Sequence, residues 1–515
     1  MSRKRRRELA LRNASAAPDA GAGEALPPVE PPLPRSPALW LALAFLLPNL
    51  GALLCGFVLD DLPLIAENQR IQWLSRLPEV WSSGYWPDRS GIATYRPMTQ
   101  TVWALVRALG GGKPWVFHAV NLALGAAVVA LVWALLRRIV SPFIAFAAAL
   151  LFALFPIHTE ATTSVVGSAE LLAALFGLSA LLAWHADRRL PALVLYAAAV
   201  FSKESGAAVA GVAGALALLH PGWKRRTPRL LAGGAGAGAV VIAALLLRAR
   251  TSSGPSFIPP VDNPMALVDP ARRVITALWV QVLYAWKTLV PLRLSADYSY
   301  KQVPLVMGLG DARAWAGLAL FAASAWAFWK RPGTRVGLAL WWILFLPAAN
   351  LLFPIGTLMG ERLAYLPSLG LAVLAAAALV RTRRAREVLA ALALLYGARS
   401  AARNLDWRDA ERFYTKLVAT APASAKAHYF HGTLLSSKGD DAGAVAAYDE
   451  AIAIFPAYSE AFHNRGNALA RLGRREEAAE SYRQCLRFDA GHAGAATNLR
   501  TLEAGLPLSP PRRKL

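Results

Sequence analysis

The feature that most restricts this chain is a series of apolar runs long enough to cross a bilayer. A helical span needs about 17–25 mostly apolar residues, because lipid offers backbone groups no water to bond with. Such runs occupy 37–59, 114–136, 140–157, 165–184, 189–201, 204–220, 229–247, 312–329, 336–354, 361–380 and 387–401, the fifth and the last being short. A further apolar stretch, 273–292, is broken by Arg273 and Lys287 and preceded by Arg272. Only 17% of the 515 residues are charged, against about 25% in ordinary soluble chains. A plain cytosolic enzyme is thereby excluded, and a hydrophobic content of 56% excludes a disordered protein.

The basic residues give a topology. The formal net charge is +23. That surplus would suit nucleic acid if it were spread along a surface, but here it collects between spans, as the positive-inside rule describes. No nucleic-acid partner is expected. The basic start Arg3-Lys4-Arg5-Arg6-Arg7 puts the N-terminus in the cytoplasm. Alternation then places Arg137-Arg138, Asp187-Arg188-Arg189 and Lys224-Arg225-Arg226 inside. If 273–292 lies in the interface and does not span, Lys330-Arg331 and the cluster Arg381 to Arg386 also fall inside. This gives eleven spans and an outer C-terminal region. Residues 1–36 are expected to be a disordered Ala/Pro-rich tail and not a signal peptide, since the apolar run starts about thirty residues after the basic cluster.

With this topology the polar residues at span ends gather on the outer side: Asp60-Asp61, His158-Thr159-Glu160, Ser202-Lys203-Glu204, Asp297-Tyr298 and Glu361-Arg362. Charges at membrane depth are costly and are retained mostly for function. Five segments bringing them to one face point to a shared site, although span ends are also where polar residues ordinarily belong. The spans, 37–402, form the first domain, with a large outer loop at 60–113.

The remainder is repetitive. Gly432/Gly466, Ala444/Ala478, Tyr448/Tyr482 and Ala451/Cys485 each differ by 34, and Pro422 matches Pro456. This is the tetratricopeptide spacing of paired helices, in which small residues allow close approach and an aromatic fills the gap. Residues 403–500 hold two repeats and a half, fewer than the three usually needed for stability. The array is therefore expected to lean on the membrane domain. Residues 501–515, ending near Pro510-Pro511-Arg512-Arg513-Lys514, form a second expected disordered tail. Two cysteines, Cys55 and Cys485, exclude a disulfide scaffold and a thiolate metal site.

The loop after the first span opens with Asp60-Asp61. A carboxylate there can act as a general base, an adjacent pair can hold a divalent metal, and one of them can cap the helix beginning at Leu62-Pro63. Trp73, Trp81, Tyr85, Trp86 and Tyr95 suit the headgroup layer or a sugar-stacking role. Arg96, Lys203 and Arg362 are candidate phosphate ligands, and each has a neighbouring acid that makes an ordinary ion pair equally available. His158 and Glu160 have no evident third metal ligand. No metal site and no cofactor are expected, although a divalent ion is not excluded. There is no Walker loop, dinucleotide fingerprint or serine nucleophile elbow.

In order along the chain stand Phe57-Val58-Leu59-Asp60-Asp61, Thr94-Tyr95-Arg96-Pro97, Phe117-His118-Ala119-Val120-Asn121, Phe155-Pro156-Ile157-His158-Thr159-Glu160, Val166-Gly167-Ser168-Ala169-Glu170-Leu171, Phe201-Ser202-Lys203-Glu204, Leu294-Ser295-Ala296-Asp297-Tyr298-Ser299, Phe353-Pro354-Ile355-Gly356-Thr357, Glu361-Arg362-Leu363-Ala364-Tyr365 and Arg403-Asn404…Asp406-Trp407. With the repeat tail, this order resembles the transmembrane and tetratricopeptide-repeat-containing protein O-mannosyltransferases, which are GT-C glycosyltransferases. The resemblance implies an all-α, polytopic GT-C helix bundle followed by a short tetratricopeptide solenoid. It implies transfer of a sugar, mannose in the animal members, from a polyprenyl phosphate to a protein Ser or Thr on the outer face. It assigns the base to Asp60-Asp61, and the leaving phosphate then needs cations, for which Arg96, Lys203 and Arg362 are the candidates. His158, Glu160, Glu204, Asp297, Tyr298 and Glu361, gathered at the same span ends, complete the candidate donor and substrate contacts. The expected setting is a bacterial inner membrane, with the repeats periplasmic and within reach of the protein acceptor. The main alternative is a non-catalytic scaffold in which spans only anchor the repeats, and eleven spans exceed what anchoring needs. A transporter would show symmetry between halves, which is missing here.

Overall fold

A computed structural model describes residues 30–87, 94–224, 227–251 and 258–506. The basic start of the N-terminal tail, Arg225-Arg226 and the last nine residues of the C-terminal tail lie outside the described residues.

The fold is all-α. The membrane part comprises α1 (Pro37–Asn49), α2 (Pro97–Gly110), α3 (Pro114–Leu136), α4 (Pro142–Leu154), α5 (Ser168–His185), α6 (Arg189–Ser202), α7 (Ala208–Leu219), α8 (Thr227–Thr251), α9 (Pro270–Leu289), α10 (Ala312–Lys330), α11 (Arg335–Phe345), α12 (Ser368–Leu379) and α13 (Ala385–Asn404). Prolines start α1 to α4, where the missing N–H costs nothing and the fixed φ suits a first turn. Gly111, at φ +62°, ends α2 in the left-handed region and donates its N–H to the Arg107 carbonyl.

Among the described residues four helical segments are long and apolar enough to cross a membrane: Pro37–Leu54, Pro114–Leu136, Val165–His185 and Arg229–Thr251. Pro142–Leu154 and Pro156–Thr163 are long and apolar enough only when taken together, across a 49° bend. Pro156 is the cause, since proline cannot sustain the ladder of α4. Arg189–Ser202, Glu204–Leu219 and Ser368–Leu379 are shorter apolar helices. The chain is a membrane protein. Of the other expected spans, 312–329 forms a helix of 19 residues that is long enough but not apolar enough, with Arg313 and Lys330 at its ends; 336–354 forms a helix of only 11 residues, and 387–401 lies in α13, which carries Arg386, Glu387, Arg399 and Arg403. The stretch 273–292 is α9, with Thr276, Ala277, Val280, Gln281, Tyr284 and Thr288 buried on one side and Trp286 and Leu289 exposed on the other.

One core runs through α3, α4, α5, α11 and α12. With no hydrophobic drive between helices in lipid, close packing through small residues matters most. At the crossing of α11 and α12, a Cβ on Gly370 would lie 2.4 Å from the Gly337 carbonyl and 2.5 Å from the Trp341 nitrogen. By contrast α8 turns its side chains outward, with Leu231, Ile242, Leu245 and Leu246 all more than half exposed.

The repeats follow as α14 (Ala410–Thr420), α15 (Ala425–Ser437), α16 (Asp441–Ile454), α17 (Ser459–Arg471), α18 (Arg475–Phe488) and α19 (Ala493–Glu503). The 34-residue period has a direct physical basis: Gly432 lies against the Tyr448 ring and Gly466 against the Tyr482 ring, where a Cβ would come within 2.8 and 2.6 Å. The half repeat α14 packs on the membrane part through Cys55, Val58, Trp407, Phe413, Tyr414 and Leu417. Cys55 and Cys485 are both buried and free.

Replacing Gly370 with valine should overpack the α11–α12 crossing at about 1–3 kcal/mol. Thermal unfolding in detergent reads the change, and an unaltered midpoint would mean that the crossing yields without strain.

Candidate active site

Leu59 takes φ +53°, the left-handed region, and this turn sends the next two carboxylates apart. Asp61 points inward and is 1% exposed. Its carboxylate accepts the N–H groups of Val165 (3.2 Å) and Val166 (2.9 Å) and the Ser164 hydroxyl (3.3 Å). It thus caps the turn that leads into α5, and its side chain makes no capping bond to the helix at Leu62. Asp60 points outward, 3.6 Å from an Arg362 Nη, with about a quarter of its side chain exposed.

Arg362 sits in a 3₁₀ turn, Glu361–Ala364. Its guanidinium lies 3.2 Å from Glu160, whose second oxygen accepts the Arg362 backbone N–H at 2.9 Å. Glu160 comes from the segment just past the bend after α4, so its acid fixes both the main chain and the side chain of Arg362. Arg96 immediately precedes α2. Its Nε and Nη donate to one Glu204 oxygen at 3.0 and 2.9 Å, and its guanidinium stacks 4.9 Å from the centre of the Tyr85 ring. Lys203, extended at the end of α6, pairs with Glu170 on α5 in a buried contact. The Ser205 hydroxyl reaches the other Glu170 oxygen at 3.5 Å.

These pairs form one neighbourhood. Lys203 feels the charges of Arg96 and Arg362, and Tyr85 feels Asp60, Arg96 and Arg362. Three cations thus stand with four carboxylates: Asp60, Glu160, Glu170 and Glu204. The Asp60–Arg362 contact is the longest of the pairs, and these two side chains are among the more exposed. Its geometry allows an anion to approach Arg362 and leaves Asp60 able to accept a proton.

The other expected site residues are elsewhere. His158 hydrogen-bonds Ser368 through Nε2 at 2.7 Å, with its ring packed against Phe152 and Tyr365 in the core. Glu361, next to Arg362 in sequence, turns the opposite way and is fully buried. It accepts from the Ser295 N–H at 2.7 Å and from the Tyr298 hydroxyl, and pairs with Arg403 at 2.8 Å. Asp297 accepts from the Ser299 hydroxyl at 2.6 Å and from Ser424, which caps α15. The Lys301 N–H bonds the Ala423 carbonyl and the Ala425 N–H bonds the Tyr300 carbonyl, both at 2.9 Å. Asp297 therefore ties this loop to the repeats, while Tyr298 and Glu361 anchor the same loop to α13 of the membrane part. Sequence reading missed Glu170 as the partner of Lys203 and Arg403 as the partner of Glu361, although both lie in segments that carry the resemblance. Among the described residues no three His, Cys, Asp or Glu side chains converge as a metal site.

A profile described as Protein O-mannosyl-transferase TMTC, DUF1736 matches residues 251–325, which include α9 and the docking loop that carries Asp297 and Tyr298. Tetratricopeptide profiles match 432–473 and 459–492. Protein O-mannosyl-transferase TMTC4 of Homo sapiens is 30% identical over 471 residues, covering 76% of this chain and 63% of the relative. Tmtc3 of Drosophila melanogaster is 29% identical, covering 84% and 56%, and TMTC1 of Homo sapiens 27%, covering 80% and 54%. The chain is a relative of the TMTC protein O-mannosyl-transferases. It spans between about half and two thirds of the length of these curated relatives. The TMTC profile falls on the loop that holds the repeats, and the Asp60 cluster lies outside it.

Two outcomes follow for this TMTC relative. Arg403→Met should strand the buried Glu361 charge at about 3–5 kcal/mol. Limited proteolysis would then cut between α13 and α15, and resistance equal to wild type would remove the pair from the docking. Burial pushes the Asp61 carboxyl up to about 7. The folded chain thus keeps a proton that the unfolded chain releases, and stability falls as pH rises from about 4 to about 7. Asp61→Asn keeps one oxygen acceptor, for Val166 and Ser164, gives up the bond from Val165, and should flatten this slope in thermal unfolding, whereas a slope that persists would have another source.

Proposed function

We propose that the chain is a multi-pass membrane O-mannosyltransferase of GT-C type. It moves a sugar, mannose in this reading, from a polyprenyl phosphate to a Ser or Thr hydroxyl of a protein on the outer face of a bacterial inner membrane. The observation that carries the proposal is Asp60: an accessible carboxylate beside Arg362, with Arg96 and Lys203 in the same electrostatic field. The kinship with proteins named as O-mannosyl-transferases supports the reading.

In this mechanism Asp60 takes the proton of the acceptor hydroxyl as its oxygen attacks the anomeric carbon from the face opposite the phosphate. The carbon–oxygen bond to the phosphate breaks, the configuration inverts, and polyprenyl phosphate leaves. Arg362 bears the charge that grows on the phosphate, its orientation set by Glu160, while Arg96 and Lys203 extend the positive field. Such preorganised charge is a large contributor to catalysis where water is excluded. Asp61 supports the site by holding the turn before α5. The eleven-span topology, with the N-terminus inside and the repeats outside, belongs to the same proposal. It puts Asp60 and the repeats on one face, with the repeats in reach of the acceptor. Lys426 of α15 is close enough to feel the Asp60 charge, which supports this nearness.

Transfer of radiolabelled mannose from membrane lipid to protein tests it at matched expression. Asp60→Asn should lose about 100-fold or more, the usual contribution of a general base, while Asp61→Asn keeps most of its activity. Loss confined to Asp61→Asn would reverse the assignment, and full activity in both variants would remove the acids from the chemistry.

A further inference from the structure

A cavity of about 380 Å³ lies between α5, α6, α7 and α8. That size falls in the range of ligand pockets, about 300–1,000 Å³. Its walls are almost wholly apolar, and Leu181, Tyr196 and Val209 contribute to them. It exists because α8 presents glycines there. Gly233 lies flat on Trp184, whose ring a Cβ would meet at 2.3 Å, while a Cβ on Gly234 would meet nothing within 4 Å.

The cavity has one charged end. Arg189 and Arg229 both line it. Both face the single carboxylate of Asp187, at 3.8 and 3.0 Å, and both side chains are about half exposed. Two cations on one acid leave this mouth positive. It lies at the helix ends that carry Arg137-Arg138 and Arg188-Arg189, the side given to the cytoplasm by the distribution of basic residues. Trp184 is fourteen residues along α5 from Glu170, about 21 Å at 1.5 Å per residue. The charged mouth is thus at the end of the bundle opposite the Asp60 cluster, while the apolar walls run inward as far as Val209.

We infer that this cavity binds one anionic phospholipid of the leaflet facing Arg189 and Arg229. Its phosphate sits on the two guanidinium groups and an acyl chain fills the apolar space. A free anion would satisfy the mouth and leave the walls unused, and a neutral lipid would leave the positive mouth uncompensated. Basic pockets between spans on the cytoplasmic side suit anionic headgroups for this reason.

The test uses the full chain in nanodiscs of equal dioleoylphosphatidylglycerol and dioleoylphosphatidylcholine, with retained lipid counted by native mass spectrometry after extraction. Wild type should retain phosphatidylglycerol over phosphatidylcholine by about tenfold or more. The double change Arg189→Ala, Arg229→Ala should lose the preference while still retaining lipid. Gly234→Phe should fill the cavity and lose the bound lipid of either kind, with its unfolding temperature reporting that the fold is kept. Added phosphatidylglycerol should raise the unfolding temperature of wild type in detergent, and inorganic phosphate should not. A wild type without preference, a preference that survives the double change, or an equal shift from inorganic phosphate would each overturn the proposal.

Discussion

The arrangement depends on the two side chains of one short turn. Glu361 and Arg362 are adjacent, and the 3₁₀ turn sends them in opposite directions. Glu361 goes to Arg403 and the docking loop, Arg362 to Glu160 and Asp60. Neither charge can be left alone at this depth, because an unpaired buried ion costs several kcal/mol. Pairing them therefore fixes the end of the α4 segment, the end of α13, the loop before α10 and the loop after α1 relative to one another. Asn404 adds to the same knot, donating to the Pro48 carbonyl at 3.0 Å and to Asn49 at 3.1 Å and accepting from Thr163.

Each cation of the cluster is matched to an acid from another segment: Arg96 to Glu204, Lys203 to Glu170 and Arg362 to Glu160. Such pairs contribute little net stability when buried, but they hold their groups in one geometry. Positive groups held in place do not have to reorganise when an anion arrives, which is what makes fixed charge effective. Asp60 differs from the rest. Among the described residues its carboxylate pairs with Arg362 alone, at 3.6 Å, and about a quarter of its side chain stays open to solvent.

Much of this was legible in the sequence. The repeats followed from a strict 34-residue period, because a glycine must face an aromatic ring in each copy. The collection of polar residues at span ends was legible too, since such residues are rare in apolar runs. Their division into two groups was not. Asp297, Tyr298 and Glu361 have the same polarity and position as Asp60 and Arg362, and only the turn at Glu361 and the seating of α15 separate docking from site. The roles of Asp60 and Asp61 also depended on one backbone angle, at Leu59, which no residue type announces. Several apolar runs were harder to assign as spans because prolines and charges cut them into helices of 11 to 20 residues.

The seating of α14 on the first span has a consequence for the solenoid. Each repeat is laid on the one before it, so direction is inherited from the first course. That course is bonded to Cys55, Val58 and Trp407 through a packed apolar contact and has no flexible linker before it. The solenoid is in effect a measuring arm set in a fixed bearing. Its reach from Asp60 is determined by how many repeats are added, and a longer array would sample more distant points along one trajectory without altering the bearing itself.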